Sequence, residues 1–207
     1  VETDAAGNVL RFLEKPTADQ IRCDTINAGI YVLEPDTLDR IPQDAVYSIE
    51  RGYFPSLVAG GETFVAYIYR GYWIDIGTPE KYQQAHRDIM DGRFKAPPFA
   101  DAPGVAHISP DARIEEGAVI EAPCFIDAGV VVKRGARIGP YTVLGRHCHV
   151  AENASVDGAI LWANTWVDTE ARIGAALAGR HCHFGRNTDV GAAMFGDQSV
   201  ITDYSRA

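Results

Sequence analysis

Over 207 residues with 46% apolar content, the chain has room for one large or two modest domains with a real core. The net charge of −9 is spread evenly, with 10 basic and 15 acidic residues in 1–100 and 9 and 13 in 101–207; with no Lys/Arg run, nucleic acid and anionic membranes are poor partners. No apolar stretch approaches the roughly 20 residues that span a bilayer, and Cys23, Cys124, Cys148 and Cys182 form no C-x-x-C pair, a usage that suits reduced thiols in a cytoplasmic enzyme.

Taken in chain order, 1–4 reads as a strand entering a turn at Ala5-Ala6-Gly7-Asn8, with 9–13 as its hairpin return. Because the chain opens inside a hairpin, it is expected to be a fragment. The most informative stretch is Gly71-Tyr72-Trp73-Ile74-Asp75-Ile76-Gly77-Thr78-Pro79. It predicts a buried strand, with Ile74 and Ile76 on one face and Trp73 and Asp75 on the other. Thr78-Pro79-Glu80 then opens a helix, with Pro at the first helical position and a stop at Gly92. A carboxylate beside an aromatic at a strand end suits a metal or a sugar hydroxyl.

Upstream lie Phe12-Leu13-Glu14-Lys15-Pro16, Asn27-Ala28-Gly29-Ile30-Tyr31-Val32-Leu33, Ser48-Ile49-Glu50-Arg51 and Phe54-Pro55. In this order, with the Asp75 stretch, they resemble the second half of the sugar-1-phosphate nucleotidyltransferase domain over about residues 1–92. The family's Gly-rich nucleotide loop, roughly G-G-x-G-T-R-L-x-P-L-T, has no match in these 207 residues. The resemblance implies roles. Lys15 pairs with the phosphate of a sugar-1-phosphate, and Glu14 accepts hydrogen bonds from sugar hydroxyls. Asn27 contacts the sugar ring, Gly29 allows close approach, and Glu50 lines the pocket. Asp75 holds Mg²⁺, with a partner carboxylate from outside this chain. Lys15 and Asp75 are the expected catalytic residues. A nucleoside triphosphate is expected to bind only with the half that carries the Gly-rich loop, so this chain alone is expected to be inactive.

A Pro-rich linker, 95–105, separates this half domain (1–94) from a repeat (106–207). Large apolar residues recur every six positions: Ile108, Ile114, Ile120, Ile126, Val132, Ile138, Leu144, Val150 and Val156. A mostly small residue follows each by four, as at Ala118, Cys124, Ala136, Thr142 and Cys148. This is the hexapeptide signature of a parallel β-helix. Beyond Val156 the large positions are Leu161, Val167, Ile173, Ala178, Phe184, Val190, Phe195 and Ile201, so one step in three shortens to five and the coil becomes 17 residues. The resemblance is to the left-handed β-helix that some nucleotidyltransferases carry at their C-terminus. The predicted fold is therefore a partial α/β nucleotidyltransferase domain followed by an all-β left-handed helix.

Two triplets, His147-Cys148-His149 and His181-Cys182-His183, invite a zinc reading. The register opposes it. Both cysteines fall at inward positions two coils apart, roughly 10 Å, so they are expected buried, unpaired and free of metal. His149, Trp166 and His183 are expected to stack outside. Among branches of the family, the motifs and β-helix together most resemble the mannose-1-phosphate guanylyltransferases, which favours GDP-mannose and pyrophosphate as products. dTDP-, UDP- or ADP-glucose pyrophosphorylases are the alternatives. A β-helix acyltransferase and a non-catalytic regulatory or assembly subunit are the other classes. A homo-oligomer is expected.

Overall fold

A computed structural model describes residues 1–206. Packing divides the chain into two compact units, Val1–Gly71 and Tyr72–Ala207.

In the first unit, strands β1 (Glu2–Thr3) and β2 (Val9–Arg11) pair antiparallel, as the hairpin reading requires. The Asp4 carboxylate closes the turn by accepting from the Ala6 and Asn8 amides at 2.9 and 2.8 Å. A bond from the Asn8 side chain first, and these amide bonds after it, hold its pKa below the ordinary range. A small core forms from Val9, Phe12, Tyr53, Phe54 and Leu57. Phe54, the first residue of helix α1 (Phe54–Ala59), sits at its centre, 4.7–5.5 Å from the rings of Phe12, Tyr31, Tyr53 and Phe64.

The second unit begins with the Asp75 stretch, and here the structure corrects the sequence reading. Residues 71–77 form neither strand nor helix, and both Trp73 (48%) and Ile76 (54%) are exposed. A strand needs a neighbour to take its amides and carbonyls, and none lies beside this segment among the described residues. The helix reading holds: α2 spans Pro79–Met90, and the Thr78 hydroxyl caps it by accepting from the Lys81 amide at 3.3 Å. Helix α2 packs on the β-helix. Gln83 donates to the Ala175 carbonyl at 2.7 Å, and the Tyr141 hydroxyl donates to Asp91 at 3.0 Å. Packing thus divides the chain at Gly71–Tyr72, upstream of the half-domain end read at 94. Within the Pro-rich stretch, Phe99 is buried with its ring edge-on to His107 at 4.3 Å.

The repeats wind into a three-walled parallel β-solenoid of about six turns, consistent with a left-handed β-helix. One wall stacks Arg113–Ile114, Val131–Val132, His149–Val150, Trp166–Val167, His183–Phe184 and Val200–Ile201. A second runs from Ala106–Ile108 to Met194–Phe195 and contains all three short-step residues, Leu161, Ala178 and Phe195. The third has five strands, from Val119–Ile120 to Asp189–Val190. The large residues from Ile126 to Val190 are all buried. Ile114 and Ile120, expected buried, are only half-buried, and Ile108 is exposed. They belong to the first coil, which has a neighbour on one side only. Among the described residues, no helix is long and apolar enough to cross a membrane.

Candidate functional site

In the first unit the structure joins three of the anticipated site residues. The Asn27 amide nitrogen donates to a Glu50 carboxylate oxygen at 2.9 Å and to the Tyr31 hydroxyl at 2.5 Å. Its carbonyl oxygen accepts from the Gly29 amide at 3.0 Å. The local sequence explains the geometry. Gly29 takes φ +74, a conformation that side chains disfavour, which turns the chain so that its amide meets the Asn27 side chain. No protein atom lies within 4 Å of where a Cβ on Gly29 would sit, so the turn is open to a ligand. Glu50 is delivered by a π-helical turn, Ile49–Tyr53, that leads into α1 and is capped by the Ser48 hydroxyl accepting from the Arg51 amide. Glu50 keeps acceptor capacity and Asn27 is held in one orientation, an arrangement suited to polyhydroxylated ligands. The Tyr31 contact was not foreseen. No local signal could have found it, because residues four apart face each other on a helix and 27–31 is not helical.

Glu14 is half-buried and Lys15 exposed, with Lys15 in the left-handed region at φ 51. No salt bridge among the described residues involves either side chain. The structure does not join this pair to the Asn27–Glu50 cluster by a hydrogen bond. Lys15 presents a free ammonium, which suits a phosphate.

Asp75 belongs to the second unit and is exposed. One carboxylate oxygen accepts the Gly77 amide at 3.1 Å, which fixes the side chain and leaves the other oxygen available. Among the described residues, no group of three or more His, Cys, Asp or Glu could hold a metal. One hard oxygen fits a magnesium ion that takes most of its ligands from phosphates and water, and does not fit a cage built by this chain. The residue missed by sequence reasoning is Asp88, 6% exposed in the last turn of α2. It accepts from Tyr72, Gln84 and Arg93. The Gln84 partner, four residues before it, was the available signal.

The cysteines of the two His-Cys-His triplets lie at the inward positions that the register gives them, whereas only part of the expected outer stack forms. Cys148 and Cys182 are buried and unpaired, with Thr165 between them on one wall. Each of the three donates to a carbonyl fourteen residues ahead: Cys148 to Trp162, Thr165 to Gly179 and Cys182 to Gly196, all at 3.1 Å. Burial pushes the Cys148 thiol up to about 11 and shifts Cys182 the same way, away from the thiolate that binds metals. Outside, the His149 and Trp166 rings stack at 3.8 Å and 8°, and His183 pairs with Asp168 at 3.2 Å.

Residues 1–92 match the family model described as nucleotidyl transferase, and 120–205 match the one described as GMPPB C-terminal domain. A mannose-1-phosphate guanylyltransferase of Mycobacterium tuberculosis is 38% identical over 148 residues, covering 70% of this chain and 38% of that protein. A probable mannose-1-phosphate guanylyltransferase of Oryza sativa is 35% identical, covering 84% and 48%. A UTP–glucose-1-phosphate uridylyltransferase of Synechocystis is 32% identical, covering 84% and 45%. The chain thus spans less than half the length of these relatives. Among solved structures, the acetyltransferase domain of PglB from Neisseria gonorrhoeae aligns with a TM-score of 0.51 at 19% identity, covering 63% of this chain and 67% of that one, a likeness of fold alone. Across its first 92 residues the chain belongs to the nucleotidyl transferase family, and its residues 120–205 match the GMPPB C-terminal domain.

Proposed function

We propose that this chain is the acceptor-sugar and C-terminal part of a sugar-1-phosphate nucleotidyltransferase, with mannose-1-phosphate and GTP as the favoured substrates. The observation that carries the reading is the Asn27 amide held by Glu50 and Tyr31 beside the open Gly29 turn. The guanylyltransferase relatives support the choice of sugar and nucleotide, and the uridylyltransferase relative keeps glucose-1-phosphate with UTP as a second pairing.

In this reading Asn27 and Glu50 orient the sugar hydroxyls, with Glu14 as a further acceptor. Lys15 neutralises the attacking phosphate. Such transfer needs positioning and charge neutralisation more than covalent help from the protein. Asp75 offers one oxygen to Mg²⁺, which when bound lowers repulsion between phosphates. The nucleotide cradle is not among these 207 residues, so the chain by itself should release no pyrophosphate. The four unpaired cysteines support a cytoplasmic location.

The test measures pyrophosphate release from GTP plus mannose-1-phosphate, and from the UTP, dTTP and ATP pairings with glucose-1-phosphate. A longer protein that includes the Gly-rich loop should be active, and Asp75→Ala in it should lose about a hundredfold or more in turnover. Full activity and unchanged Mg²⁺ dependence in Asp75→Ala would sink the metal assignment. Robust turnover by the 207-residue chain would sink the division of labour.

A further inference from the structure

Since 71–77 is not a strand, something other than a sheet must fix the Asp75 carboxylate. The structure shows two ties, both to α2. Downstream, Gly77 donates to Asp75 and the next residue, Thr78, caps the helix start. Upstream, the Tyr72 hydroxyl donates to Asp88 Oδ2 at 2.9 Å, while the Tyr72 ring lies 5.1 Å from that of Phe94 at 22°. The loop therefore leaves from one end of α2 and is pinned near the other.

Asp88 is built for that role. A carboxylate 6% exposed is costly to bury unless its oxygens are satisfied. Here three donors converge: Tyr72 on Oδ2, and Gln84 at 2.7 Å and Arg93 at 3.2 Å on Oδ1. Gln84 and Arg93 satisfy and orient one oxygen, leaving the other aimed at Tyr72. The Tyr72 hydroxyl is shifted up by burial first and by its bond to Asp88 second, so it keeps the proton it donates. A solvent-exposed face of α2 would need none of this.

We propose that Asp88 is a positioning residue that acts through Tyr72 to hold the Asp75 loop in one arrangement. Its relevance to catalysis rests on the reading of Asp75 as a metal ligand. The placement itself does not.

The two can be separated. Tyr72→Phe removes one hydroxyl and leaves Asp88 with Gln84 and Arg93, so folding should survive. In the 207-residue chain, ¹⁵N relaxation should show order parameters at 73–77 falling from about 0.85 to below about 0.6, with the solenoid unchanged. Asp88→Ala should do the same, and Asp88→Asn, whose side-chain amide can still hydrogen-bond the Tyr72 hydroxyl, should keep most of the order. Unchanged order at 73–77 in Tyr72→Phe overturns the proposal. In the longer, active protein, Tyr72→Phe should raise the Mg²⁺ concentration for half-maximal rate several-fold, with little change in the KM for mannose-1-phosphate. Loosened order with an unmoved Mg²⁺ requirement upholds the positioning role and sinks the metal reading of Asp75.

Discussion

The Thr165 hydroxyl lies wholly inside the coil and donates to the Gly179 carbonyl. With Cys148 and Cys182 it forms a column of inward donors, each meeting a carbonyl of the following coil. Thr165→Val keeps the shape and strands that carbonyl, so it should cost about 1–3 kcal/mol in urea unfolding of the solenoid. Thr165→Ser keeps the donor and should cost less. Equal losses in the two variants would mean that packing, not the hydrogen bond, is what matters. A second residue-scale effect is titration. Burial, helped by Lys133, lowers the His149 pKa below 6.5, and burial alone does the same for His86. The folded state then binds fewer protons than the unfolded one, so stability should fall as pH drops from 7 through 6.5 toward 5. His149→Phe, which keeps a ring against Trp166, should flatten part of that fall in thermal unfolding. A steeper fall in the variant would reverse the assigned sign. At this scale the sequence carried much. Asn27, Gly29 and Glu50 were named by their motifs and do meet. Asp88 was invisible because an acidic residue near a helix end reads as solvated until its three partners are seen in space.

At the scale of elements, legibility tracked whether an element's partners are near in sequence. The solenoid was readable in detail because each strand's neighbour lies 17 or 18 residues away and obeys the same period. Helix α2 was readable because its cap, Pro and stop are local signals: Thr78, Pro79 and Gly92, the last at φ +76. The strand read at 71–77 failed because alternation alone makes no strand, and its neighbour had to come from elsewhere in the chain. The period itself can be tested. Deleting 165–181 removes 17 residues and brings Cys182 into the slot of Thr165, so every later residue keeps its wall. The shortened chain should retain its β-sheet circular dichroism and a cooperative melt. Deleting 165–180 instead places His181 in that inward slot and turns Cys182 outward, and the coils beyond should collapse. If both deletions melted alike, the wall register would not be what specifies the coil.

For the whole molecule, the two domain types were legible from motif order and period, whereas the packing boundary at Gly71–Tyr72 was not. That boundary depends on where α2 docks, through Gln83 and Tyr141, and such contacts leave no local trace. The first unit has a further property that bears on how the chain behaves in solution. Its core covers one side of segments 26–33 and 63–70, through Tyr31, Leu33, Phe64 and Ala66. The other side is bare: Ile30, Val32 (99% exposed) and Tyr67 (89%) all face outward. Exposed apolar surface of this kind drives association. We expect the 207-residue chain to self-associate through this face, with a sedimentation coefficient that rises across micromolar to millimolar concentrations. The combined variant Ile30→Lys, Val32→Lys, Tyr67→Lys leaves the Phe54 core and the solenoid untouched and should sediment as a monomer throughout. Trp166→Lys, on the aromatic wall of the solenoid, should not disperse the assembly. Dispersal by Trp166→Lys alone would move the interface to the solenoid wall, and a wild-type chain that stays monomeric at high concentration would rule out self-association through either face.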